Sequence, residues 1–207
     1  MARIAIVGNA PFDADYSVAI DQADFVVRFN NAHGFGKDRG SKIDDLFLVN
    51  CGGQALEWLQ TDDFWKRPQV VATPKVTLPI AVRRDHELSG IGATDSPDIV
   101  DGVNFEREMR AKLVSMSKAV STLPTKSYDD SRQVLEDLNR DAFLGEPSSG
   151  FLAILHYFRN VQPDDIIEIF GFGFAGWQGH AWHLEREWVE QQSKLERLIW
   201  HRPPHAS

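Results

Sequence analysis

Two histidines and two glutamates crowd into GHAWHLEREW, Gly179 to Trp188. Imidazole and carboxylate in one stretch can hold a metal, supply a catalytic base, or simply make a helix polar. A zinc pair on a continuous helix needs ligands one turn apart, at i and i+4. Here His180 and His183 are three apart and Glu185 lies five beyond His180, so no metal is expected. If the helix starts near His183, then His180 sits in the loop ahead of it, after the glycine-rich run Gly171 to Gly176. A neutral imidazole at that place, with an ordinary pKa of about 6.5, suits the removal of a proton from a hydroxyl. The plainer alternative is a loop histidine bonded to a backbone carbonyl.

A second group of residues could hold an anion or a nucleotide. Asn9, Asn30 and Asn50 each follow an apolar run, and three carboxamides on one sheet edge can read ribose hydroxyls and phosphate oxygens without adding charge. Each asparagine alone could equally be a turn residue. PSSGF puts Ser148, Ser149 and Gly150 at the start of an apolar helix, where free amides favour a phosphate or carboxylate or where Ser is simply an N-cap. GNAP carries one glycine and matches neither the dinucleotide fingerprint nor a P-loop. DAD, Asp13 to Asp15, imitates the metal-binding DxD of many sugar transferases, but so short an acidic pattern recurs by chance.

These residues need a scaffold that gathers them. RIAIVGN, DFVVRFNN and DDLFLVNCGG are short β-branched runs that end in Asn, as buried parallel strands do before a loop. YSVAIDQA and GQALEWLQ read as helices, and PQVVATP reads as a fourth strand. Pro74 to Ser127 is broken by charge, Gly and Pro, with one helix around NFEREMRAKLVSM. SYDDSRQVLEDLNRDAF is amphipathic, FLAILHYF is the body of a helix, DDIIEIFGFGF is a strand ending at Gly171, and REWVEQQSKLERLIWH is a last helix with a terminal strand. Alternation of this kind predicts an α/β fold with an open, mostly parallel sheet, whose ligands sit outside the carboxyl ends of the strands.

A chain of 207 residues, 43% hydrophobic and 25% charged, is the right size for one domain spanning 1–207. A formal charge of −8 without a basic cluster argues against nucleic acid. The lone Cys51 excludes an intramolecular disulfide. With no apolar leader and no apolar run of about 18 residues, the expectation is a soluble, cytoplasmic protein.

Taken in order, the segments resemble the sialyltransferases. IAIVGNA, DFVVRFNNA and GSKIDDLFLVN are similar to their long donor-binding motif, PSSGFLAILHYF with IIEIFGFGF to their short one, and His180 and Glu185 to their His-x4-Glu motif. The pattern also resembles the bacterial sialyltransferases. The resemblance implies a GT-A-like variant with a Rossmann-like sheet, metal-independent inverting transfer without a cofactor, and a CMP-activated acidic sugar, sialic acid or Kdo-like, as donor. It implies that Asn9, Asn30 and Asn50 contact CMP, that Ser148, Ser149 and Gly150 meet the phosphate or sugar carboxylate, and that Gly171 walls the nucleotide pocket. His180 would be the base toward a glycan or small-molecule acceptor, and Glu185 would orient the site. The paired cysteines of the animal enzymes are absent, and the segment from Gly171 to His180 is shorter than theirs, without an evident counterpart of their lid. The opening is also similar to bacterial proteins labelled urease-operon accessory proteins, which implies the alternative of a non-catalytic CMP- or nucleotide-binding factor. A hydrolase of nucleotide sugars is a third reading.

Overall fold

The computed structural model describes residues 1–12, 14–81, 103–139 and 145–202. Within them the strands are β1 (Arg3–Val7), β2 (Phe25–Phe29), β3 (Asp45–Phe47), β4 (Lys75–Leu78), β5 (Ala119–Thr122), β6 (Ile166–Phe170) and β7 (Ile199–His201). The helices are α1 (Ser17–Asp21), α2 (Gly52–Gln60), α3 (Pro68–Ala72), α4 (Glu106–Ser115), α5 (Thr125–Leu138), α6 (Ser149–Asn160) and α7 (Trp182–Lys194), with a 3₁₀ turn at Phe64–Lys66. The seven strands form one sheet in the order β5-β4-β3-β2-β1-β6-β7, and every neighbouring pair is parallel. The expected parallel α/β sheet is thus present, wholly parallel rather than mostly so.

Strand alternation explains the layers. Ile4, Ile6, Val27, Phe29, Phe47, Ile167 and Ile169 point to one face and pack against Leu135 of α5, Phe151 to Leu155 of α6 and Leu184, Trp188 and Val189 of α7. The intervening residues point the other way, where Ala5, Val7, Val26 and Phe170 meet Ile20 of α1. Leu46, Leu48, Val76 and Leu78 there cover Ala55 and Trp58 of α2, Val70 of α3 and Met109 and Leu113 of α4. Among the described residues no helix is long and apolar enough to cross a membrane.

One sequence expectation is corrected. PQVVATP is not the fourth strand: Pro68 opens α3, and the fourth strand is KVTL, starting after Pro74. Val70 and Val71 look like strand residues, but the fixed φ of proline suits the first helical position, and both valine amides bond back to the Arg67 carbonyl. Between Pro74 and Ser127, where only one helix was expected, β4 and the edge strand β5 also form. Ala119 to Thr122 carries Ser and Thr and is at most half-buried, so its hydropathy is weak.

No helix connects β2 to β3. Buried Arg28 holds that connecting loop from inside, its Nε donating to Lys42 O (2.9 Å) and its Nη2 to Arg39 O (2.7 Å). Burial pulls its guanidinium down to about 10, partly offset by Asp21. Arg39 in turn donates to Gly8 O (3.1 Å) beneath the ring of Phe12.

The strand order reverses between β1 and β6, which makes their carboxyl ends the crevice of this sheet. There the loops touch: Gly8 N–H donates to Phe170 O (2.7 Å) and Ala10 N–H to Gly171 O (2.9 Å). A β-carbon on Gly8 would lie 2.4 Å from Gly171 O, a backbone atom with no freedom to yield. Gly8→Ala is therefore expected to destabilise by about 1–3 kcal/mol. Gly53 in α2 faces open space, so Gly53→Ala should instead stabilise by about 0.4–1 kcal/mol. Urea denaturation of the two variants checks this, and equal midpoints would contradict the close approach of the two loops.

Candidate active site

His180 lies in the loop between β6 and α7, two residues before the helix begins at Trp182. Its loop pairs with the segment ahead of α6: Glu146 N–H donates to Gly179 O (2.7 Å) and Ala181 N–H to Glu146 O (3.2 Å). The same carbonyl lies 3.0 Å from His180 Nδ1. Because a carbonyl can only accept, Nδ1 carries the hydrogen and Nε2 of the neutral ring is left with its lone pair. Nε2 has no partner among the described residues. Burial holds the imidazole below its ordinary pKa, opposed by the bond to the Glu146 carbonyl and the Glu146 charge. The expectation of a carbonyl-bonded loop histidine is met, and the same geometry leaves Nε2 able to accept a proton.

Glu146 was not singled out in the sequence. Its side chain is fixed by two residues of α5, accepting from Tyr128 Oη and, at 3.1 Å, from Arg132 Nη1. Burial and then the bond to Glu146 push the Tyr128 phenol up to about 12, so it remains a donor. The signal was available in GEPSSGF, where an acid stands just ahead of a helix start, but its partners lie on another helix and share no local pattern with it.

Glu185, in the first turn of α7, is 1% exposed. Its Oε1 accepts from Ser148 N–H at 2.7 Å and its Oε2 from Ser148 Oγ at 2.8 Å. Ser148 is the N-cap of α6, and its Oγ also accepts from Phe151 N–H (3.1 Å), which fixes its own hydrogen toward the carboxylate. Burial pushes the Glu185 carboxyl up to about 7 against the two Ser148 bonds that favour its charged form. The side chain has no route to a substrate and acts on the start of α6.

At that start, the amides of Phe151 and Leu152 are satisfied by Ser148, whereas those of Ser149 and Gly150 have no partner among the described residues. Both residues are half-buried, on the edge where the strands end. Two open amides at the start of a twelve-residue helix can meet an anion. A β-carbon at Gly150 would come within 2.9 Å of Phe172, the ring that follows β6 and packs edge-on against Phe29.

The three asparagines differ in what they leave free. Asn9 is half-buried and ties two loops, its Nδ2 donating to Phe29 O (3.2 Å) and its Oδ1 accepting from His33 N–H (2.9 Å). Asn30 adopts φ of +49°, accepts from Val49 N–H at 2.9 Å, and leaves Nδ2 unpartnered among the described residues. Asn50 is fully buried, donating to Ile80 O (2.7 Å) and Asn104 Oδ1 (2.8 Å) and accepting from Ile80 N–H (3.1 Å). Gly171 has φ of +64°, and a β-carbon there would meet Phe12 at 2.5 Å. Its wall is therefore one of packed loops.

Of the DAD motif, Asp13 lies outside the described residues, and Asp15 bonds Ser17 N–H at 2.8 Å ahead of α1. Among the described residues no three His, Cys, Asp or Glu side chains converge as a metal cage would need. Burial raises the Cys51 thiol to about 12, which makes it a poor nucleophile.

A raised carboxyl has a defined thermodynamic sign. The folded chain holds the Glu185 proton more tightly than the unfolded chain, whose ordinary value is 4.5, so this contribution is present in acid and lost as pH rises through about 7. Glu185→Gln keeps an acceptor for Ser148 N–H and never ionises, so its stability relative to the parent should improve from about pH 5 to about pH 8. Glu185→Ala leaves Ser148 N–H unpaired and should lose about 1–3 kcal/mol at every pH. Melting curves across pH read both, and parallel profiles for parent and Glu185→Gln would contradict the assignment.

No family model matches the chain. A urease operon 23 kDa accessory protein of Rhizobium meliloti (strain 1021) is 28% identical over 204 residues, covering 94% of this chain and 92% of that protein. Among solved structures, a mammalian sialyltransferase superposes with a TM-score of 0.61 at 18% identity, over 98% of this chain and 70% of that one. The Campylobacter jejuni sialyltransferase CstII, in complex with CMP-3FNeuAc, superposes with a TM-score of 0.55 at 16% identity, over 97% of this chain and 81% of that one. At such identities the likeness is one of fold, and the GT-A-like α/β architecture expected from the sequence is the architecture shared with the sialyltransferases.

Proposed function

We propose that this chain is a sialyltransferase-like glycosyltransferase that moves an acidic sugar, sialic acid or Kdo-like, from CMP to an acceptor hydroxyl with inversion and without a metal. One observation carries this reading. The short segment Glu146 to Ser148 holds the base on one side, through the Glu146 carbonyl, and the open amides of α6 on the other, through the Ser148 cap. A proton acceptor and an anion site on one rigid piece are what a transfer between an acidic, phosphate-linked sugar and a hydroxyl requires. The acceptor oxygen bonds to the anomeric carbon as the bond from that carbon to the CMP phosphate oxygen breaks, and the hydroxyl proton passes to His180 Nε2. CMP leaves with the bonding pair. In this reading the amides of Ser149 and Gly150 meet the phosphate or the sugar carboxylate, and Asn30 Nδ2 meets the nucleotide. Asn9 and Asn50 shape the loops around it, and Gly171 permits their close approach.

The likeness to a urease operon accessory protein supports a second reading, a nucleotide-binding factor without transfer activity. The two part on turnover. CMP at about 100 times its dissociation constant adds roughly 2.7 kcal/mol to stability, and in a chain of this size each kcal/mol raises Tm by about 2–4 °C. The shift should be absent with purine nucleotides. His180→Ala should keep the CMP shift while lowering CMP release from CMP-sialic acid by about 10²-fold or more. Because burial holds His180 below its ordinary pKa, the acid limb of the rate should fall below the usual imidazole range, with a plateau reached by neutral pH. A CMP shift without CMP release in any acceptor mixture would favour the accessory factor. No shift with CMP, CDP or CMP-sialic acid would overturn the donor site.

A further inference from the structure

Trp177 is the most exposed aromatic residue among those described, at 57% of its surface, and it stands beside His180. Its position is fixed rather than loose. The Trp177 carbonyl accepts from His180 N–H (3.2 Å) and from Trp182 Nε1 (2.9 Å). Its ring lies over Gly179, where a β-carbon would come within 2.2 Å of it. The His180 ring stands edge-on between Trp177 and Trp182, 4.9 Å from each, at 81° and 79°. A large apolar ring held this firmly loses little entropy on meeting a ligand, and leaving it open to water has no packing purpose.

We infer that Trp177 is a platform for the acceptor, on which the C–H face of a neutral pyranoside lies while one of its hydroxyls reaches His180 Nε2. The inference deepens the transferase reading and rests on His180 as its base. The chemistry is specific. A pyranose ring with its hydroxyls directed to one side presents polarised C–H bonds on the other, which suit the electron-rich face of an indole. Gly179 follows as a positioning residue, because any side chain there would displace the ring.

Saturation-transfer NMR with methyl β-galactopyranoside, whose axial hydroxyl leaves one ring face lined by C–H groups, tests this in the presence of saturating CMP. In the parent, saturation should fall mainly on the protons of that face. Trp177→Ala should weaken binding by about tenfold or more, the scale for truncating an aromatic anchor, while Trp177→Phe should keep most of it. The CMP melting shift should be the same in all three proteins. Equal saturation in the parent and Trp177→Ala, or none in the parent, would overturn the platform. Loss of the CMP shift in Trp177→Ala would also overturn it, since the ring would then serve the cytosine base. A parent that binds the pyranoside through Trp177 but shows no CMP shift would refute the donor reading and leave the platform standing.

Discussion

The Glu185 carboxylate, buried between two helices, is the contact on which the candidate site depends. It accepts both the backbone and the hydroxyl hydrogens of Ser148, and so joins the first turn of α7 to the cap of α6. A buried carboxylate without such partners would be strongly disfavoured, and a cap without an acceptor for its hydroxyl would be free to rotate. With both in place the α6 start is fixed in position and in hydrogen-bond direction. His180 inherits that order, because Glu146 lies two residues before Ser148 and its carbonyl sets the His180 tautomer.

Around this contact the fold supplies convergence. A parallel sheet delivers every strand end to one edge, and the reversal between β1 and β6 opens a gap there. The loops of Gly8 and Gly171 close on each other so tightly that neither tolerates a side chain. Arg28 and Arg39 fix the β2–β3 connection from within, doing with hydrogen bonds to carbonyls what a crossover helix does elsewhere in the sheet.

Much of this was legible in the sequence where a local pattern carries the information. The β-branched runs ending at Asn9, Asn30 and Gly171, the Ser148 cap and the loop placement of His180 all follow from composition and turn chemistry over a few residues. What escaped is non-local. Nothing near Glu146 announces Tyr128 and Arg132, and nothing near Asn50 announces that Asn104 and Ile80 would engage its carboxamide. PQVV was misread because two valines outweighed the proline ahead of them, and β5 was missed because an edge strand with serine and threonine has little hydropathy to detect.

The interior position of β1 has a kinetic consequence. Its one side pairs with β2 as soon as the first crossover is made, but its other side waits for β6, and Ala2 bonds Asp165 across 163 positions of chain. During synthesis this buried apolar strand therefore has an unsatisfied edge until the last quarter of the chain emerges. Such an edge is a template for pairing with other chains. The yield of folded protein is then governed by how fast α6 and β6 arrive rather than by the stability of what they complete, and slowing translation between α5 and β6 would lengthen the exposure.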